Sequence, residues 1–336
     1  MVKQNPITLM DHIGLKNIPE KKFNEPVNEN IANINEEVRK RFIGCFLGLA
    51  IGDAKGMPAE SKSKDEADNV ANTSEYLDGY LPAGHYTDDT NQAILLAESI
   101  IEKGEFNPDT FMKHMTKMDL TRGYGPTTMK SVLRYVNGTK AEESGLPSNG
   151  NGPSMRVAPL ALVYHHDLDK LKKIVIQYAK CTHTLPEAVA GSLAVAFSIA
   201  YNLNNYNQPF DKENFRKELI KFIKPVSPEV AASLKKDSIL MERYGCTVLE
   251  SVPYAIKAFL ENPLNYKKTI NESIKGAGDA DTIAAIAGSI SGAINGVTGI
   301  PADWINNLEN NDKGRDYIVY LAKKLYEISE QVSKEK

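Results

Sequence analysis

Phe42-Ile43-Gly44-Cys45-Phe46-Leu47-Gly48-Leu49-Ala50 sets the fold class, because Phe42, Cys45, Phe46, Leu49 and Ala50 recur at helical spacing. The period returns further on, where Ile94, Leu95, Ala97 and Ile101 follow in step. Further helices are predicted over 108–118, 126–137, 153–165, 169–180, 186–202, 211–223, 228–240, 244–261, 265–275, 281–296 and 313–333. Runs that alternate apolar and polar between turn residues are nearly absent, so a sheet has little support. Turn-forming stretches punctuate the helices, as at Gly104-Glu105-Phe106-Asn107-Pro108, Gly145-Leu146-Pro147 and Gly299-Ile300-Pro301. Residues 39–336 show no compositional break and no repeat, and read as one all-α domain.

Residues 1–38 differ. They are rich in Asn, Glu and Lys, contain Pro6, Pro19 and Pro26, and offer only scattered apolar residues such as Ile7, Leu9, Met10, Ile13, Leu15 and Phe23. Such a segment builds no core of its own and reads as a polar extension, helical from about Asn28 onward. The 336-residue chain is 42% hydrophobic and 25% charged, with a formal net charge of −3. That is an ordinary globular balance, and it gives no electrostatic case for nucleic acid or an anionic membrane. Cys45, Cys181 and Cys246 are odd in number, form no CxxC pair and sit among apolar residues. Three buried free thiols are expected, and zinc or a disulfide framework is not. No apolar span is long enough to cross a bilayer, and the first residues lack a secretory pattern, so a reducing cytoplasm is the expected setting.

Two acidic clusters carry the chemistry: Thr87-Asp88-Asp89-Thr90 and Gly278-Asp279-Ala280-Asp281-Thr282. Either one alone reads as a helix N-cap. Capping needs one acceptor, however, and each cluster holds two carboxylates beside a hydroxyl. The flanking Gly84, Gly276 and Gly278 let backbone approach a ligand closely. Brought together, the clusters would make an all-oxygen pocket with four carboxylates, tolerable in an interior only if hard cations such as Mg²⁺ neutralise it. The helix after the second cluster is small-sided, with Ala284, Ala287, Gly288, Ser291, Gly292 and Ala293. That suits a central buried helix holding a site at its start, and equally suits plain tight packing. No GxxxxGK[ST], HExxH or strand-borne GxGxxG redirects the reading.

The string Gly44-Cys45-Phe46-Leu47-Gly48-Leu49-Ala50-Ile51-Gly52-Asp53-Ala54, followed by Gly56 and Glu60, resembles the opening of the ADP-ribosylglycohydrolase family. Tyr86-Thr87-Asp88-Asp89-Thr90, Arg122-Gly123-Tyr124-Gly125, Asn151 to Pro159, Thr182-His183-Thr184 and Gly278 to Thr282 follow in the family's order. The likeness is greater to the dinitrogenase reductase-activating branch than to the vertebrate poly(ADP-ribose)- or serine-directed branch. It implies an orthogonal all-α helical bundle with two Mg²⁺ ions, Mn²⁺ in some members, at the base of a central cleft. Their ligands would correspond to Thr87, Asp88, Asp89, Asp279, Asp281 and Thr282. The bond to be cut is the N-glycosidic link of ADP-ribosyl-arginine on a protein, through an oxocarbenium-like state that carboxylates stabilise. Asp281 is the candidate to orient or deprotonate the attacking water. Ala280 stands where a larger polar residue is frequent, a departure that leaves ligation intact.

Glu60 matches a position that assists or gates at the ribose in some members; otherwise it is a surface carboxylate in the polar loop from Glu60 to Asp78. Gly123, Tyr124 and Gly125 form a candidate ribose or adenine platform, or simply a turn before a helix. Asn151, Gly152, Ser154 and Met155 open a helix whose N–H groups suit a diphosphate. Arg156 reads as structural, paired with an acidic neighbour, because an Arg among apolar residues needs a partner. His183 is a ligand-contacting candidate, or a packing histidine.

Two functions follow. One is a hydrolase reversing mono-ADP-ribosylation of protein arginine. The other is a toxin-neutralising binding protein, since similar extensions occur on glycohydrolase-like immunity proteins whose N-terminal arm plugs the cleft of a cognate ADP-ribosyltransferase toxin. A non-catalytic structural protein on this fold is disfavoured by the intact acidic set.

Overall fold

A computed structural model describes residues 37–235 and 244–334, so the 1–38 extension lies almost wholly outside the described residues. The described residues form helices α1 Glu37–Gly56, α2 Lys64–Asn72, α3 Asp88–Lys103, α4 Pro108–Met115, α5 Pro126–Val136, α6 Gly152–Met155, α7 Ala158–Tyr164 and α8 Leu168–Lys180. They continue with α9 Pro186–Asn205, α10 Lys212–Ile223, α11 Pro228–Ser233, α12 Val248–Glu261, α13 Tyr266–Ile274, α14 Ala280–Asn295, α15 Ala302–Asn307 and α16 Arg315–Lys334. Among the described residues there is no strand, only the isolated bridges Leu146–His183 and Gly150–Thr247. The all-α reading holds. No helix among them is long and apolar enough to cross a membrane.

The core is built on two helices that are buried on every side, α1 from Phe42 and α14 along nearly its whole length. They run antiparallel, and they touch backbone to backbone. Gly44 faces Gly292 and Gly296, Gly48 faces Gly288, Gly52 faces Ala284, and Gly56 faces Ala280. A methyl group on Gly52 would lie 2.0 Å from the Ala284 carbonyl oxygen, and one on Gly48 2.5 Å from that of Gly288. Only glycine allows this approach. The small-sided helix read from sequence is therefore the central one, and it needs a second small-sided helix opposite it. Around the pair, α9, α12 and α13 pack on α14, while α16 closes over α1 and α7.

Three expectations need correction. The polar stretch after Glu60 holds helix α2, started by a reciprocal capping box in which Ser63 accepts from Glu66 N and Glu66 accepts from Ser63 N. The single helix expected over 153–165 is broken at Arg156-Val157 into α6 and α7. Cys45 and Cys181 are buried free thiols, but Cys246 is exposed, because it sits in the turn that leads to α12 rather than inside a helix.

Candidate active site

The close approach of α1 and α14 delivers the site. Near its C-terminal end α1 carries Asp53, a fully buried carboxylate. Asp53 accepts from the Thr87 N–H at 2.9 Å, the Thr90 N–H at 3.0 Å and the Thr90 hydroxyl at 2.5 Å. It thus fixes the turn that starts α3 and presents Asp88 and Asp89. From the other side, buried Glu309 accepts from Tyr86 N at 3.0 Å and pairs with both terminal nitrogens of Arg122, which also donates to the Tyr86 carbonyl. Arg122 therefore clamps the acidic turn from behind.

The second cluster is set by strained backbone. Ala277 has φ +51° and Gly278 φ +62°, a region L-residues avoid. Asp279 N–H donates to the Tyr244 carbonyl at 2.8 Å, and Ser61 N–H donates to the Gly278 carbonyl at 2.7 Å. The latter bond carries Glu60 to the late aspartates. Oxygen atoms of Glu60, Asp279 and Asp281 lie within 4.8 Å of one another. Asp279 Oδ2 accepts from the Asn151 amide at 2.6 Å, and Asp281 Oδ1 from Thr282 N–H at 2.8 Å.

These groups form the floor of a cleft of about 320 Å³. Glu60, Asp88, Asp89, Asp279, Asp281 and Thr282 line it, with walls from Gly123, Gly125 to Thr128, Ser148 to Gly152, Met155 and His183. Among the described residues no Lys or Arg lines it. Burial first, then repulsion from neighbouring carboxylates, pushes the Asp88, Asp89 and Asp281 carboxyls well above the usual range. Burial also raises Asp279. Glu60 is pushed up to about 7 by burial and then by Asp279 and Asp53, and burial lifts Asp53 to about 6 against the bonds from Thr90 and Thr87. Asp89 Oδ1 is buried with no hydrogen-bond partner. Five carboxylates on one floor with an orphaned oxygen are a donor set for hard divalent cations, and the residues present fit such ions.

Other sequence candidates fall less directly. Thr87 is not on the cleft surface; its hydroxyl donates to Asp89 Oδ2 at 3.2 Å. Gly123 and Gly125 line the wall, whereas the Tyr124 hydroxyl turns away to Asn91. Asn151, Gly152 and Met155 face the cleft; Ser154 lies behind them, its hydroxyl buried without a partner. The N–H groups of Ser154 and Met155 are bonded to the Asn151 carbonyl, so they do not point at a diphosphate. Arg156 has no acidic partner of the kind expected: its acceptors are the neutral Gln92, Thr128, Tyr178 and Thr182. Sequence reasoning missed Asp53, a carboxylate near the C-terminal end of α1. It also missed Tyr80, an exposed ring on the cleft rim.

The family model described as ADP-ribosylglycohydrolase matches residues 34–335. A protein of Archaeoglobus fulgidus is 32% identical over 88% of this chain and 99% of its own. The ADP-ribosylarginine hydrolase Tri1 of Pseudomonas putida is 27% identical, over 88% of this chain and 81% of its own. A solved structure described as an ADP-ribosylglycohydrolase-related protein complex superposes with a TM-score of 0.75 at 29% identity, covering 88% of this chain and 100% of that one.

Proposed function

This chain belongs to the ADP-ribosylglycohydrolase family and is a hydrolase of that kind; we propose that its substrate is ADP-ribosyl-arginine on a protein and its cofactor a pair of Mg²⁺ ions, with Mn²⁺ as a substitute. The observation that carries the proposal is the acidic floor, drawn from two distant segments of the chain, with no Lys or Arg lining it among the described residues. Such a floor attracts a cationic guanidinium leaving group as well as metal. The name of the Pseudomonas putida relative, an arginine-directed hydrolase, points the same way.

Asp88, Asp89, Asp279, Asp281 and Thr282 would hold the ions, with Glu60 beside them and Thr87 supporting Asp89. Bound there, the ions supply charge neutralisation and polarisation of substrate oxygens. In the reaction a water oxygen bonds to the anomeric carbon, the carbon–nitrogen bond breaks, and the departing nitrogen gains a proton. Asp281, with one oxygen held by the Thr282 N–H, orients that water. Glu60, on the same floor, stabilises positive charge as it develops at the ribose. Asn151 holds Asp279 in place through its amide.

The test is release of ADP-ribose from an arginine-modified protein in Mg²⁺. Asp281→Asn should lower the rate on the order of 10²–10⁴-fold. Equal rates in both proteins would remove Asp281 from the mechanism, and faster release from a serine-linked substrate would overturn the arginine assignment.

A further inference from the structure

Arg156 is wholly buried just after α6. A guanidinium keeps its charge at any ordinary pH, so burying it away from carboxylates is costly unless its N–H groups find acceptors. Nε donates to the Tyr178 hydroxyl at 3.0 Å and Nη2 to Thr182 Oγ1 at 2.6 Å. Nη1 donates to Gln92 Oε1 and, at 3.3 Å, to Thr128 Oγ1. Three of these acceptors lead to the cleft.

Gln92 gives its amide oxygen to Arg156, which leaves its nitrogen to donate to Asp88 Oδ2. Thr128 lines the cleft itself. Thr182 Oγ1 accepts from Arg156 with one lone pair, and His183 Nδ1, 2.9 Å away, is within reach of its hydroxyl proton. With that proton given to Nδ1, the ring's own proton sits on Nε2. That nitrogen lies beside Gly150 and Gly152 in the cleft wall. Burial, and after it the Arg156 charge, holds the imidazole down to about 3, so it is neutral in ordinary buffers.

We propose that Arg156 is a positioning residue for both sides of the cleft: through Gln92 it orients the Asp88 carboxylate, and through Thr182 it sets His183 as a fixed Nε2–H donor to an oxygen of the ribosyl diphosphate. The ligand half of this inference rests on the hydrolase reading above. With the relay cut, the Thr182 proton is free to turn, His183 takes either tautomer, and the Gln92 amide loses the partner that fixes it.

Imidazole ¹⁵N correlation spectra of the protein without added metal read which ring nitrogen carries the proton, His183 being assigned by its loss in His183→Gln. Wild type and Thr182→Ser should both give the Nε2–H pattern; Thr182→Val and Arg156→Lys should give a mixture. An Nδ1–H pattern in wild type overturns the relay, and so does an unmixed Nε2–H pattern in folded Thr182→Val. Affinity for ADP-ribose in Mg²⁺ should fall roughly 10-fold in Thr182→Val and recover in Thr182→Ser. Unchanged affinity in Thr182→Val removes His183 from the ligand site. A wild-type protein that does not bind ADP-ribose counts against the hydrolase reading, while the spectra still decide the relay.

Discussion

Asp53 does more for the site than any residue singled out by motif. It touches the cleft nowhere, yet it accepts all three donors that set the start of α3. Asp53→Asn would turn an acceptor into a donor against those N–H groups, and an unmatched buried donor costs about 1–3 kcal/mol. The expected outcome is a lower thermal midpoint and a loss of hydrolysis of roughly 10²-fold or more, because Asp88 and Asp89 lose their placement. Differential scanning calorimetry and kcat/KM with added Mg²⁺ check both. Asp88, Asp89, Asp279 and Asp281 were legible because each acidic pair exceeds what a cap requires. Asp53 was not, because nothing local tells a buried structural carboxylate from a chance one; its meaning lies in donors from another helix. The direction of Tyr124 was hidden for a related reason. A tyrosine between glycines suggests a stacking face, but the ring's direction is set by Asn91, an acceptor 33 positions away.

At the scale of elements, the periodicity of the apolar helices was legible, whereas the polar helix α2 and the helix breaks were not. The Ser63/Glu66 capping box lies in a stretch whose polarity hid a two-turn helix, since α2 buries only Ala67 and Ala71. The α1–α14 contact was half legible: the small face of α14 is plain in sequence, but which helix it meets is a tertiary fact. This contact makes a sharp prediction. Gly52→Ala puts a methyl against the Ala284 backbone, with no flexible side chain to move aside. It should destabilise by about 3 kcal/mol or more and lower metal affinity together with stability, because the displaced helix ends carry Asp53 and Asp281. Gly125→Ala, where an added methyl meets nothing within 4 Å, should shift stability by less than about 1 kcal/mol. Paired urea melts separate the two cases.

For the whole molecule, the acidic floor links pH, metal and stability. Glu60 and Asp53 are raised to about 7 and about 6 in the folded chain, so the folded state binds more protons than the unfolded one. Their stabilising protonation is complete below the ordinary carboxylate range and is lost as pH rises through 6 and 7. Protein stripped with a chelator should therefore melt higher at pH 5.5 than at pH 8. Saturating Mg²⁺ should raise the midpoint most at pH 8, flattening or reversing that slope. A chelated protein whose midpoint ignores pH across this window would contradict the crowded-carboxylate description. Among the described residues, those lining the cleft fall between Glu60 and Thr282, so deleting residues 1–36 should leave hydrolysis of a small ADP-ribosyl-arginine substrate unchanged. Any partner of the extension, a transferase toxin included, would be lost from a pull-down by the same deletion.

The glycine-lined contact between α1 and α14 also imposes an order of events on synthesis. Arg41 and Ile294, whose side chain and carbonyl meet across it, are 253 positions apart. At about 5–20 residues per second, α1 waits on the order of 13–50 s for its mate to leave the ribosome. Throughout that interval the apolar stretch of α1 from Phe42 to Ile51 lacks the helix that covers it along its glycine face. The nascent chain is accordingly expected to be a strong client of chaperones that hold apolar segments, and ribosome-bound chains halted before residue 280 should stay protease-sensitive around α1. Catalytic competence then arrives in one late step, when the last central helix docks and completes the floor of the cleft.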